Sequence, residues 1–190
     1  MKKIILIAAA AFMTLAASAQ QKFAHVNFNE LVQLMPEAYA ARETMSAAQK
    51  EAGEAYQSMI DEFQTKYTEY QQKAASWTGA VKESKEKALS EMQTRIQEFE
   101  QSVQQELQQQ NQQLMAPIYK KANEELQKLA KAGGYVYVFD ATSLLYVDPA
   151  QSKDLTPDAR KALGISDDKT LEGLQQEIQA QAQAQAGAQK

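Results

Sequence analysis

From Glu37 to Ala132 the apolar residues recur every three or four positions with almost no interruption, while the segments on either side read as strands. On the outgoing half the stripe is Met45, Ala48, Ala52, Tyr56, Met59, Phe63, Tyr67, Tyr70, Ala74 and Trp77, so Met45, Tyr56 and Tyr67 repeat every 11 residues. That interval is about 3.67 residues per turn, close to an undistorted helix, and predicts little supercoiling. After a break near Trp77 to Gly79 the return half carries Leu89, Met92, Ile96, Phe99, Val103, Leu107, Leu114, Ile118, Ala122, Leu126 and Leu129, with Gln110 filling a gap. Two stripes of matching period joined by a short break predict an antiparallel helical hairpin, roughly 50 to 55 Å long at about 1.5 Å per residue. Its hydrophobic seam must be thin, because only one face of each helix is apolar.

Two residues interrupt the helical pattern. Gly53 lies mid-helix, at a cost of about 1 kcal/mol relative to alanine, and Pro117 lies inside the return helix, where it removes a backbone hydrogen bond and crowds the preceding turn. Both are candidate hinge points, Pro117 near the root of the hairpin, opposite roughly Ala41. The glutamine run between Gln93 and Gln113 reads as a solvated helix face.

The flanks predict a small β body. Ala24 to Phe28 alternates, with Val26 and Phe28 on one face and His25 and Asn27 on the other. Asn29 is placed to cap a short helix over Glu30 to Met35, which ends before Pro36. Beyond the hairpin, Gly133-Gly134 ends the helix, and Tyr135 to Phe139 reads as a strand buried on both faces. Asp140 to Ser143 then forms a turn, from which Leu144 to Val147 returns as a strand. Thr156-Pro157-Asp158 starts a helix, with Thr156 as its cap, that runs to Leu163 and stops at Gly164.

Three short strands and two small helices do not close a core alone. The body, residues 20–36 and 133–164, is therefore expected to be completed by other copies of the chain, through Val26, Phe28, Val136, Val138, Leu145 and Val147. The fold class is α+β, a small β body bearing a projecting hairpin at 37–132. Residues 165–190 read as a low-complexity Gln/Ala tail, in which Leu171, Leu174 and Ile178 make at most an amphipathic turn or two.

Lys2 and Lys3, an apolar run from Ile4 to Ala17, and Ala17-Ser18-Ala19 before Gln20 have the order of a secretory signal peptide. About 14 apolar residues fall short of the roughly 20 that span a bilayer, so residues 1–19 are expected to be cleaved and the rest exported, not membrane-spanning. Cleavage removes two of the 20 basic residues, leaving 18 against 24 acidic ones, a net charge near −6. A nucleic-acid partner needs a basic face and is not expected. The chain contains no cysteine, hence no disulfide and no thiolate chemistry. Nor is a catalytic constellation, phosphate loop or metal-spaced cluster visible. His25 is the single histidine, on the polar face of its strand, and Asp140 and Asp148 flank turns, where aspartate serves the backbone. Neither an enzyme nor a cofactor is expected.

Phe23-Ala24-His25-Val26-Asn27, a hairpin of this length, and Tyr137-Val138-Phe139-Asp140-Ala141-Thr142 followed by Asp154-Leu155-Thr156 together resemble the Skp family, or OmpH-like periplasmic chaperones. The resemblance runs to about Leu163. It implies a homotrimer with an intermolecular β-barrel body, whose three arms surround a cavity holding unfolded outer-membrane β-barrel proteins without ATP. Ile60, Tyr70 and Met115, on the flanks of the seam, would then be able to touch a client, although seam packing is the simpler role for each. The arm from Arg42 to Lys131 has 12 basic and 14 acidic residues, only its tip around Lys73, Lys82, Lys85 and Lys87 being mildly positive. That departs from the basic character of the family and puts a lipopolysaccharide site in doubt. It predicts client capture through apolar contacts, weakened little by salt. A different class of reading is a structural coiled-coil adaptor of the cell envelope that pairs with one folded partner.

Overall fold

The computed structural model describes residues 21–188, so the expected signal peptide at 1–19 lies outside the described residues. The chain divides into two compact units. One takes residues up to Pro36 and from Tyr119 onward, the other Glu37–Ile118.

In the first unit, three strands form one sheet in the order β2, β1, β3: β1 (Lys22–Val26), β2 (Tyr135–Asp140) and β3 (Ser152–Asp154). Both neighbours run parallel to β1, with Ala24 opposite Val138 and Lys153. Ala24 and Val26 are buried on one face of the central strand. The expected strand pair after the helices is thus not a hairpin. Leu144 to Val147 belongs to no strand, and the third strand comes later, at Ser152–Asp154. A three-residue 3₁₀ segment explains the difference: Asp140 Oδ1 accepts the Thr142 N–H at 3.0 Å, turning the chain into the 3₁₀ segment Ala141–Ser143 rather than a hairpin turn. Burial of β2 on both faces is also not what the chain adopts, since Val136, Tyr137 and Phe139 are 49%, 57% and 42% exposed. As an edge strand β2 has nothing beyond it.

The first strand ends at Val26, two residues earlier than the alternation suggests, because Asn27 caps α1 (Phe28–Leu34). Asn27 Oδ1 accepts the Glu30 N–H at 3.0 Å while its Nδ2 donates to Glu30 Oε2 at 3.2 Å. These bonds make Asn27, not Asn29, the cap of the helix. Leu31, Leu34 and Met35 are fully buried. At the same end of the sheet Thr156 is not the cap of α4 (Thr156–Ala162) but its first residue, preceded by Leu155. The Thr156 N–H donates to Asp154 Oδ1 at 2.8 Å, and the Thr156 hydroxyl accepts the Asn27 N–H at 3.0 Å. Leu155, 3% exposed, donates its N–H to the His25 carbonyl at 2.9 Å. Asp154-Leu155-Thr156 therefore ties the start of α4 to the end of β1.

The segment read as a tail contains α5 (Leu171–Ala188), and Ile165 and Leu174 are buried, with α5 packed on α1. Arg160 holds this region together. One guanidinium nitrogen reaches Glu30 Oε1 at 2.7 Å, and the other donates to the Ser166 and Lys169 carbonyls at 2.9 and 2.7 Å. Alternating Gln and Ala hides the docking residues from a periodicity reading, because only Ile165, Leu171, Leu174 and Ile178 carry large aliphatic side chains there.

The second unit is the hairpin of α2 (Pro36–Lys73), a 3₁₀ turn at Ala74–Ser76, and the first part of α3 (Gly79–Gly133). Tyr70 donates its hydroxyl to Glu86, and Tyr56 bonds to Glu100. The residue numbers of both pairs add to the same value, which fixes an antiparallel register and sets Pro117 level with Tyr39. The stripe emerges as expected: Met92 and Ile118 are buried, and Leu89, Ile96, Phe99, Val103, Leu107, Gln110 and Leu114 are half-buried. Tyr67 departs from it, at 45% exposure, its ring stacked on Phe63 at 5.9 Å. Helix α3 continues through Pro117, and from Tyr119 to Gly133 it belongs with the sheet. It ends as glycine permits, with Gly134 at φ +67°.

Candidate docking surfaces

The first unit exposes apolar surface on both faces of its edge strand. In β2, aromatic and aliphatic residues alternate, so Tyr137 and Phe139 share one face and Val136 and Val138 the other. On the aromatic face the Phe23 ring stacks on Tyr137 at 6.3 Å, and Phe139 lies 5.9 Å from Tyr137. On the aliphatic side a cleft of about 390 Å³ is lined by Val26, Phe28, Leu126, Ala130 and Val138, with Asp140 among its polar neighbours. Three residues read from the sequence as interface, Val26, Phe28 and Val138, thus meet in one cleft although Phe28 belongs to a helix. The other three lie apart from it. Val136 is exposed on the strand, Leu145 is fully exposed, and Val147 is half-buried. Leu144 and Tyr146 beside them are 37% and 78% exposed.

Sequence reasoning missed Phe23, Tyr137, Phe139 and Tyr146 as members of this surface. The signal was present in the Tyr-Val-Tyr-Val-Phe alternation of 135–139, which separates two chemically different faces. An exposed apolar surface of this kind next to an unpaired strand edge is what a partner chain covers.

The polar residues singled out in the sequence are occupied structurally. His25 Nδ1 lies 2.9 Å from Ser152 Oγ, joining β1 to β3. Asp140 and Asp148 each accept a backbone N–H two residues on, at 3.0 and 2.9 Å. Among the described residues no group of three or more His, Asp or Glu is arranged to hold a metal ion, and no helix is long and apolar enough to cross a membrane.

In the second unit Ile60, Tyr70 and Met115 are all half-buried. Tyr70 is the most constrained. Its hydroxyl donates to Glu86, which raises the phenol above its ordinary value, and its ring meets Trp77 edge-on at 6.0 Å. Tyr56 is raised in the same way by Glu100. Lys85 Nζ sits 5.6 Å from the Trp77 ring centre, while Lys73, Lys82 and Lys87 each pair with a glutamate four positions away. The positive tip is therefore largely neutralised by its own helices. Gly53 and Pro117 are both exposed; an added Cβ at Gly53 meets nothing within 4 Å.

Comparison with known proteins places this architecture. The chain is 28% identical over 163 residues to the chaperone protein Skp of Yersinia enterocolitica, the match covering 82% of this chain and 96% of that one. Its fold is similar to the crystal structure of an OmpH-like outer membrane chaperone from Caulobacter crescentus CB15, with a TM-score of 0.68 at 15% identity, over 76% of this chain and 85% of that one. The family described as outer membrane protein (OmpH-like) matches residues 22–163, the sheet, both long helices and α4. The chain belongs to the OmpH-like family.

Proposed function

We propose that this protein is an ATP-independent periplasmic holdase, a homotrimer whose helical arms enclose unfolded outer-membrane β-barrel proteins and keep them from aggregating. The observation that carries the reading is the uncovered apolar surface of β2, with Val136, Tyr137 and Phe139 exposed in an OmpH-like chain. Among the described residues no segment covers that strand, and copies related by symmetry supply one. The extended stretch Leu144 to Val147, with Leu145 wholly exposed, is suited to meet the β2 edge or the Val26, Phe28, Val138 cleft of a neighbour. Closing the three sheets into one barrel removes every open edge.

Three arms around one cavity hold a client through many weak contacts, each gaining from the effective concentration set by the others. Bending at Gly53 and Pro117 lets the arms fit clients of different size. Ile60, Tyr70 and Met115 contribute apolar surface without any one of them being decisive. Neither catalysis nor a cofactor enters this reading, and the protein acts in the periplasm after its signal peptide is removed.

Native mass spectrometry of the protein lacking residues 1–19, alone and with an outer-membrane protein diluted from urea, tests the reading. A trimer that takes up one client, and suppresses aggregation of several unrelated barrels, is expected. A monomer that captures nothing overturns it, and binding of a single folded partner points to an adaptor.

A further inference from the structure

The charge of the hairpin is unevenly distributed. From Ile96 to Tyr119 there is no lysine or arginine, and opposite it, from Glu37 to Ile60, the cations are Arg42, which lies over the Tyr39 ring, and Lys50. Lys50 is already paired with Glu54 at 3.8 Å. In this band small residues of α2 face large ones of α3, which leaves a cleft of about 240 Å³ beside the seam, with Ala52, Ala55, Val103 and Leu107 in its lining. Glu51 and Glu106 line the same cleft, one from each helix, and neither has an ion-pair partner among the described residues. Their numbers match the register of the Tyr56 and Glu100 pair to within one residue, so the two carboxylates stand across the seam from each other. Glu62, Glu69, Glu91 and Glu124 elsewhere on these helices each have a lysine four positions away, as Glu51 and Glu106 do not.

We propose that this cleft seats extended polypeptide segments carrying lysine or arginine among apolar residues, the basic head lying between Glu51 and Glu106 and its alkyl stem on the apolar floor. Lysine and arginine side chains divide in this way between apolar surface and a charged rim. The inference rests on the holdase reading and adds a selectivity to it. Basic segments are held by charge as well as apolar contact, and for them binding weakens with salt, whereas neutral and acidic segments follow the salt-insensitive behaviour expected from composition.

The test uses three fluorescent, unstructured peptides of identical apolar residues with Lys, Gln or Glu between them, titrated into the full protein by anisotropy. The Lys peptide is expected to bind about tenfold more tightly than the Glu peptide at low ionic strength, with the gap closing at high salt. Glu51→Gln with Glu106→Gln, both at exposed positions, should abolish most of the preference while leaving helix content intact. Equal binding of the three peptides, or a preference that survives the double substitution, overturns the inference alone. Failure to bind any peptide or any unfolded barrel overturns the holdase reading together with it.

Discussion

Arg160 is the residue on which the C-terminal third of the first unit depends, since its guanidinium joins Glu30 of α1 to two carbonyls of the loop before α5. Its side chain is 14% exposed and that of Glu30 is 23%, so removal leaves a largely desolvated carboxylate without a cation. Arg160→Ala is expected to lower stability by about 2 kcal/mol in urea unfolding, with Arg160→Lys recovering less than half because a point charge does not replace a fork of donors. Asn27 and Thr156 illustrate the same scale differently. Thr156 was legible as a helix-start residue, whereas Asn27 read as a strand residue with the cap given to Asn29, and the two are joined through the Asn27 N–H and the Thr156 hydroxyl. Tyr70 offers a titration test. Glu86 accepts a hydrogen bond from its hydroxyl and raises the phenol, so the contact stabilises the hairpin below the ordinary tyrosine value near 10 and is lost as pH rises through the higher folded value. Absorbance titration of tyrosinate should show two late-ionising phenols, Tyr56 and Tyr70, of which Glu86→Ala restores one toward normal; an unchanged curve would rule the Tyr70 contact out.

At the scale of elements the two long helices were legible because their pattern is local. Side chains three and four apart share a face whatever the rest of the molecule does, and the stripe from Leu89 to Leu129 is the less exposed face of α3. Gly53→Ala should raise stability by about 0.5 to 1 kcal/mol, since the added methyl group meets open space. Pro117→Ala restores the hydrogen bond to the Gln113 carbonyl and is expected to add roughly 1 to 3 kcal/mol. If these two positions are hinges, both substitutions also slow amide exchange nearby and narrow the size range of captured barrels; exchange at 112–120 already as slow as in neighbouring turns would count against bending there. The strands were less legible. A period of two names the faces of a strand but not its neighbours, so Tyr135 to Phe139, apolar on both faces, read as an interior strand when it is the edge. Leu144 to Val147 read as its partner when Ser152–Asp154 takes a place on β1 instead.

For the whole molecule the sharpest prediction concerns Leu145. It is fully exposed in the single chain, so Leu145→Glu costs the monomer almost nothing, whereas in a trimer it places a charge in an apolar contact. Light scattering should show dissociation toward monomer with helix content unchanged, and Val138→Asp should do the same at some cost to the folded chain. A Leu145→Glu protein that stays trimeric would remove this loop from the interface.

What the sequence alone determined was the pair of long helices, their break near Trp77 and their matching stripes. Those follow from short-range periodicity. Only the tertiary structure decided the parallel order of the strands, the docking of α5 on α1, and the meeting of Phe28 with Val26 and Val138 in one cleft. Each of these joins residues more than a hundred positions apart or brings a helix against a strand, and no local period records which distant surfaces fit together.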